Sequence, residues 1–124
     1  MAMTRILVLL CLVFVSHMGE AKVLVPSAIS ACERIFEYFP NCLEFLVGDP
    51  NYVRPSRRCC QHVVKLNILA RHRTGPRTIC WCIQVMVKGM TPALVPSKIQ
   101  DLPLMCHTTL SFPISDSIDC SKVG

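Results

Sequence analysis

The apolar positions of this chain fall into three periodic stretches before residue 90 and lose their regular spacing after it. In the first stretch the spacing is helical and produces one apolar face. That face consists of Cys32, Ile35, Phe36, Phe39, Leu43, Leu46 and Val47. Ser30 is a candidate N-cap, and Pro40 predicts a kink or break because proline lacks a backbone donor. The turn-forming residues 48–51 predict the end of this helix and the start of a loop.

Two further helices are predicted on either side of a break at residues 74–76. Ser56 is the candidate cap of the second helix. That helix runs through Cys59, Cys60, Val63, Leu66, Asn67, Leu69 and Ala70. The third covers about residues 77–88, where Pro76 suits the first turn and Gly89 favours the end. Its apolar positions are Ile79, Cys80, Ile83, Met86 and Val87.

The remainder of the chain is punctuated by prolines at positions 92, 96, 103 and 113. One short helix is predicted to start at Pro96 and to end before Pro103. Residues 106–124 show no long periodic run, which predicts a C-terminal tail that wraps over the helices and is pinned by Cys106 and Cys120. The pattern as a whole predicts an all-α fold in one small domain, without internal repeats.

Residues 1–21 have the composition of a secretory signal peptide. Arg5 provides the positive charge of the n-region, and residues 6–15 form the apolar h-region. Gly19 and Ala21 are the small residues at the positions that precede cleavage after Ala21. The alternative is a retained membrane anchor, but the apolar run is shorter than the ~20 residues that span a bilayer. We therefore predict a signal peptide at residues 1–21, which includes Cys11, and a secreted mature domain at residues 22–124.

Eight cysteines remain after that cleavage, in the order C-x9-C-x16-CC-x19-C-x-C-x23-C-x13-C. They are Cys32, Cys42, Cys59, Cys60, Cys80, Cys82, Cys106 and Cys120. An even number of cysteines in a secreted chain predicts disulfides. Neighbours in a CC or CxC pair are poorly placed to bond each other, so each must reach a distant partner, although the sequence does not choose the connectivity. A zinc site is the alternative, and no CxxC or histidine pair has the spacing of zinc ligands.

The formal net charge of +5 and the 52% hydrophobic composition bear on possible partners. The densest basic groups are Arg54, Arg57 and Arg58, then Arg71, Arg73 and Arg77. They favour anionic membrane surfaces or acidic cell-wall polymers, with an ordinary solvated basic face as the alternative. Aromatic residues are few, which argues against nucleic acid. The apolar excess indicates a ligand cavity, a packed core, or a partner interface at Met90, Leu104 and Met105.

The cysteine order resembles that of plant non-specific lipid-transfer proteins, and the spacing is most similar to type 1. The similarity covers about residues 28–123 and extends beyond the cysteines. Val63, Leu66-Asn67 and Ala70-Arg71 stand where the family carries V…LN…AR, and Ile114-Ser115 and Asp119-Cys120-Ser121 match its I-S and D-C-S. The residue between the CxC cysteines is usually polar in type 1 and apolar in type 2, and here it is Trp81.

The resemblance implies a right-handed, disulfide-stapled four-helix bundle with an apolar cavity that the C-terminal tail closes. It implies a monomer that binds fatty acids or phospholipids without catalysis, cofactor or metal. The type 1 pairing would be Cys32–Cys82, Cys42–Cys59, Cys60–Cys106 and Cys80–Cys120; type 2 members instead link the first cysteine to the fifth and the sixth to the eighth. We predict a lining of Ile35, Val63, Leu66, Ile83, Leu110, Phe112 and Ile114, with ordinary core packing as the alternative for each.

Two departures from the type 1 pattern concern the polar end of the ligand. The T-x-x-D-R/K motif of the family has Gly75 and Pro76 at its acidic and basic positions here. The tyrosine of its P-Y-x-I-S motif is Phe112, which keeps the ring and lacks the hydroxyl. Arg77 is the candidate replacement for the missing base. We therefore expect selection mainly by acyl chain, with Arg77 as the polar anchor.

Two other functions remain open from the sequence. A hydrolase inhibitor with the same cysteine order would present an exposed loop, and residues 48–58 are the candidate. Membrane-disrupting defence would rest on the +5 charge alone. We do not expect an enzyme, because the cysteines are predicted to be bonded and His62, His72 and His107 have no nucleophile or acid beside them in the sequence.

Overall fold

The computed structural model describes residues 30–124, and within them the regular structure is entirely helical. Helix α1 covers residues 30–38 and continues through a 3-10 turn, Phe39–Cys42, into the single turn α2, Leu43–Leu46. The other helices are α3, Arg57–Arg71, α4, Gly75–Val87, and α5, Pro96–Met105, and a second 3-10 turn spans Cys120–Lys122. Counting the first three pieces as one gives four helical segments, which confirms the predicted all-α class. The predicted signal peptide, its cleavage site and Cys11 lie outside the described residues.

The N-terminal segment changes helix type at Pro40, as predicted. Because proline lacks the N–H that an α-helical turn needs, the chain tightens into the 3-10 turn, and the Leu43 N–H donates to the Pro40 carbonyl. The segment ends where Gly48 adopts φ +77° and donates to the Phe45 carbonyl at 3.1 Å. Ser30 is itself helical, so its prediction as the N-cap is wrong.

Local signals set the bounds of α3 and α4. The Ser56 hydroxyl accepts the Cys59 N–H at 3.0 Å, which confirms Ser56 as the cap of α3. Helix α4 begins at Gly75, two residues earlier than predicted, with Pro76 in its first turn. It ends at Val87, and Gly89 follows with φ +75°.

Helix α5 is longer than predicted, because it continues through Pro103 to Met105. Proline removes one hydrogen bond and crowds the preceding turn. Packing offsets this cost, since Leu102 is fully buried and Cys106 is bonded to Cys60. The last turn is also closed by hydrogen bonds from the Cys106 N–H to Leu102 and from the Thr108 N–H to Pro103.

Four disulfides connect segments that are far apart in sequence. They are Cys32–Cys82, Cys42–Cys59, Cys60–Cys106 and Cys80–Cys120. This is the pairing that the type 1 resemblance implies. It joins α1 to α4, the first 3-10 turn to α3, α3 to the end of α5, and α4 to the C-terminal tail, so every helical segment is cross-linked.

The tail after α5 runs over α3 and α4, as predicted, and polar side chains of those helices hold its backbone. The Asn67 amide donates to the Thr109 carbonyl at 2.7 Å and accepts the Ser111 N–H at 2.8 Å. The Gln84 amide donates to the Ile118 carbonyl at 2.7 Å. Backbone groups that lack partners in regular structure thus obtain them from helix side chains.

Candidate functional site

The predicted lining residues come together in one apolar cluster inside the domain. Ile35 of α1, Val63 and Leu66 of α3 and Ile83 of α4 are each at most 1% exposed. The tail contributes the buried side chains of Phe112 and Ile114, and the half-buried Leu110 packs against the same cluster. Three helices and one irregular segment therefore share a continuous apolar interior.

The cluster also contains residues that the sequence analysis did not assign to the lining. They are Phe39, Phe45, Leu46, Ala70, Ile79, Val87 and Leu102, with Cys42, Cys59 and Cys82. Periodicity had already placed several of them on inward faces, so that signal was available. Leu102 lies inside the predicted short helix that ends before Pro103, and the sequence analysis assigns no buried positions to that helix.

A set of half-buried side chains lies at the margin of the cluster, where apolar surface remains accessible. The set includes Leu43, Leu69, Met86, Leu94, Ile99, Met105 and Leu110. These residues come from α2, α3, α4, α5 and the loops after α4 and α5. Apolar surface that remains accessible is therefore continuous with the buried cluster.

Arg77 stands apart from this cluster. Its side chain is exposed, and its Nε donates to the Val123 carbonyl at 3.1 Å, which holds the C-terminus against the start of α4. The cation placed beside the tail near Phe112 is Arg71, whose Nε donates to the Ser111 hydroxyl at 3.0 Å. Two arginines are thus available at the tail, one at each end of its path over α3 and α4.

The remaining polar groups have structural partners. The Asn41 amide nitrogen donates to the Glu37 and Tyr38 carbonyls at 3.1 Å each and lies 2.7 Å from His62 Nδ1. The hydroxyl and backbone N–H of Ser121 bond to Asp119 and lower the pKa of its exposed carboxyl. His72 and His107 are exposed.

Two further classes of site are absent from the described part of the chain. No group of three or more histidine, cysteine or acidic residues within residues 30–124 is arranged to hold a metal ion. No helix in the same range is long and apolar enough to cross a bilayer.

Comparisons with known proteins agree with this arrangement. The sequence model of the protease inhibitor/seed storage/LTP family matches residues 32–120. Non-specific lipid-transfer protein 13 of Arabidopsis thaliana is 46% identical over 116 residues, which cover 93% of this chain and 90% of that protein. Non-specific lipid-transfer protein 3 of Oryza sativa subsp. indica is 32% identical over 98 residues, with coverage of 79% and 78%.

A solved structure has the same fold. Non-specific lipid transfer protein 1 from barley, in complex with a lysophosphatidylcholine, superposes with a TM-score of 0.61 at 27% identity. The superposition covers 75% of this chain and 98% of the barley chain. With the family match, the identities and the shared fold, the chain belongs to the plant non-specific lipid-transfer proteins of the protease inhibitor/seed storage/LTP family.

Proposed function

We propose that this protein is a secreted lipid carrier that binds fatty acyl chains or phospholipids in its apolar interior and transfers them between membranes or to the cell surface. The observation that carries the proposal is the continuous cluster in which three helices and the tail bury the predicted lining residues. The barley relative, whose structure contains a lysophosphatidylcholine, supports the same use of the fold.

The driving force is the burial of the acyl chain. Each methylene contributes about 0.8 kcal/mol when it leaves water, so one long chain has a large gross gain before ordering costs. The disulfides contribute about 2–4 kcal/mol each, so the fold depends less on a completely filled core and leaves more of the apolar interior for a ligand. The tail forms one wall of this interior, because it contributes the buried Phe112 and Ile114.

The proposal has consequences for chemistry and location. The protein acts by reversible binding and carries out no catalytic step. It is a monomer that leaves the cell after removal of residues 1–21 and works in the apoplast or cell wall. Native mass spectrometry of the purified mature protein would show the bound lipid directly, together with the oligomeric state.

A substitution in the tail tests whether the cluster is the binding site. Ile114→Ser is expected to weaken binding of a fluorescent fatty acid by about tenfold or more, because it removes buried apolar area from the lining. Val53→Ser is the matched control, since Val53 is 69% exposed on the loop before α3. Displacement by unlabelled lysophosphatidylcholine measures both. Equal affinities for the two variants would place the acyl chain outside the cluster.

The polar end of the lipid is tested separately. We propose Arg77 as its anchor, because it directly follows Pro76, which occupies the basic position of the family motif. A charge-assisted hydrogen bond contributes ~1.5–3 kcal/mol. We expect the wild type to prefer a fatty acid over its methyl ester by about tenfold or less, because Phe112 and Pro76 supply no donor, and Arg77→Ala to remove that preference.

Arg71→Ala is the control for this assignment, because Arg71 is the arginine bonded to Ser111 beside Phe112. If the preference for the fatty acid over its methyl ester persists in Arg77→Ala and disappears in Arg71→Ala, the anchor is Arg71 and not Arg77. Binding of the methyl ester should be equal in the two variants, which separates a lost anchor from a damaged interior.

Inhibition of a hydrolase is the second candidate, and the loop between α2 and α3 favours it. Tyr52 and Val53 are exposed there, while Asp49 accepts the backbone N–H groups of Asn51 and Tyr52 at 2.9 Å each and so orders the loop. Assays against amylases and proteases test this candidate. Inhibition that Val53→Ser removes, without an effect on lipid binding, would assign the second activity to this loop.

A further inference from the structure

The outer side of α4 combines an exposed tryptophan with cations at both ends. Arg77, Trp81, Val85 and Lys88 are four, four and three residues apart, which places them along one side of a helix. All four are exposed, with Trp81 at 53% and Val85 at 70%. The opposite side carries the buried Ile79, Ile83 and Val87. We refer to the four exposed residues as the Trp81 stripe.

The backbone fixes Trp81 in this outward position. Its neighbours Cys80 and Cys82 are buried and bonded to Cys120 and Cys32. Because both flanking side chains point inward to separate partners, the indole between them is held at the surface on a rigid helix. An anchor that is already in place loses little conformational entropy when it binds.

The charges around the stripe suit an anionic surface. Between Asp49 and Asp101 the chain has no aspartate or glutamate. The same stretch contains nine cationic residues: Arg54, Arg57, Arg58, Lys65, Arg71, Arg73, Arg77, Lys88 and Lys98. The tail beside α4 adds Asp116, Asp119 and Lys122, and the Asp119 carboxylate is bonded to Ser121. Both α3 and α4 therefore present cations without acidic neighbours on the same helix.

We propose that the Trp81 stripe is a docking surface for an anionic lipid bilayer. Tryptophan favours the headgroup region, where the ring meets apolar chains and the indole N–H meets water. Val85 would lie beside it, and Arg77 and Lys88 would reach the lipid phosphates from the two ends. The inference goes beyond the proposed function, because an interior site can take up lipid without a surface that holds the protein on a membrane.

Other occupants fit the stripe less well. An acidic polysaccharide would pair with Arg77 and Lys88 but offers no apolar phase for Trp81 and Val85. A second copy packed symmetrically on the stripe would bring the cations of one chain against those of the other. A bilayer with anionic headgroups satisfies both the apolar and the charged members.

Helix α3 provides a matched comparison. Val64 and Ile68 are also one turn apart and exposed, at 48% and 50%, and Arg57 and Arg71 flank them. That face has similar charges and aliphatic area but no aromatic side chain. Any difference in membrane binding between the two faces would therefore follow from Trp81.

The test uses the intrinsic fluorescence of the mature protein, because Trp81 is the single tryptophan of the chain. We expect its emission to shift to shorter wavelength with phosphatidylcholine vesicles that contain phosphatidylglycerol, and to be quenched by brominated acyl chains. Pure phosphatidylcholine vesicles and high salt should weaken the effect, because salt screens the cations. An emission spectrum that does not change with any vesicle would overturn the proposal.

Substitutions then assign the binding by vesicle co-sedimentation. Trp81→Ser with Val85→Ser should lower the partition coefficient by about tenfold or more, and Val64→Ser with Ile68→Ser should change it by about twofold or less. Equal losses in the two double variants would show that the surface acts as a whole and would contradict docking through α4. Far-UV circular dichroism shows whether each variant is folded. If a variant is not folded, the fluorescence of the wild-type protein with vesicles decides whether Trp81 enters the bilayer.

Two further readouts identify the other occupants. If the protein binds polygalacturonate without an emission shift and does not bind vesicles, the proposal is overturned and the ligand of the Trp81 stripe is a wall polymer. If the protein does not bind vesicles but self-associates, and Trp81→Ser abolishes that self-association, the partner of the stripe is a second copy of this chain. Fatty-acid displacement is measured on the same samples, and the Trp81→Ser, Val85→Ser double variant should bind the free fatty acid as the wild type does. Failure of docking and failure of the carrier function are thereby distinguished.

Discussion

Reduction of the four disulfides is expected to abolish most of the helical structure at room temperature. Each disulfide contributes about 2–4 kcal/mol, and a small domain is stable by only about 5–15 kcal/mol in total. The longest described helix has 15 residues, and helices of that length are marginal in water on their own. The C-terminal tail has little regular structure that could hold it in place without Cys106 and Cys120.

Far-UV circular dichroism with and without a reductant measures this loss in the mature protein. The starting material should contain no titratable thiol, because all eight cysteines of residues 30–124 are paired. The oxidised form of the same reagent, added to a matched sample, separates reduction from direct effects of the reagent. An unchanged spectrum after complete reduction would mean that the apolar cluster holds the fold without the cross-links.

Asn67→Leu is expected to lower the free energy of unfolding by roughly 1–3 kcal/mol, because it leaves two partly buried backbone groups of the tail without their partners. Asn67 is 3% exposed, and its amide serves the Thr109 carbonyl and the Ser111 N–H. Leucine has a similar size but neither donates nor accepts a hydrogen bond. The loosened tail should also weaken lipid binding, since Phe112 and Ile114 follow directly.

Urea unfolding monitored by circular dichroism gives the change in stability. Gln84→Leu is the matched control, because Gln84 holds the tail through one carbonyl at the more exposed Ile118. The Gln84 variant should lose about 1 kcal/mol or less. A smaller loss for Asn67→Leu than for Gln84→Leu would show that the tail is held mainly by Cys120 and the apolar contacts.

Much of the candidate site followed from residues near one another in sequence. Apolar spacing placed Ile35, Val63, Leu66 and Ile83 on inward helix faces, and the structure buries all four. Phe112 and Ile114 lie in a segment without periodicity, and there the likeness to the family pattern identified them. Arg77 is predicted from its place in a motif, and a motif does not specify the direction of a long, flexible side chain.

Local sequence by itself determined where most helices begin and end. Ser56, Pro76, Gly48 and Gly89 act on their own backbone or on residues within one turn, so their effect can be predicted without knowing the fold. The cysteine order and the apolar spacing likewise indicated a cross-linked helical domain. Capping and turn formation act over a few residues, and the cysteine spacing and apolar periodicity are properties of the residue order. The sequence therefore contains both kinds of information directly.

Tertiary structure decided what depends on residues far apart in the chain. Helix α5 passes through Pro103 because Leu102 is buried and Cys106 reaches Cys60. Trp81 faces outward because its neighbours bond to Cys32 and Cys120. Arg77 meets the Val123 carbonyl, a contact that only the path of the tail creates. In each case the free energy of a distant contact outweighs or completes the local preference, and the sequence pattern alone does not contain that contact.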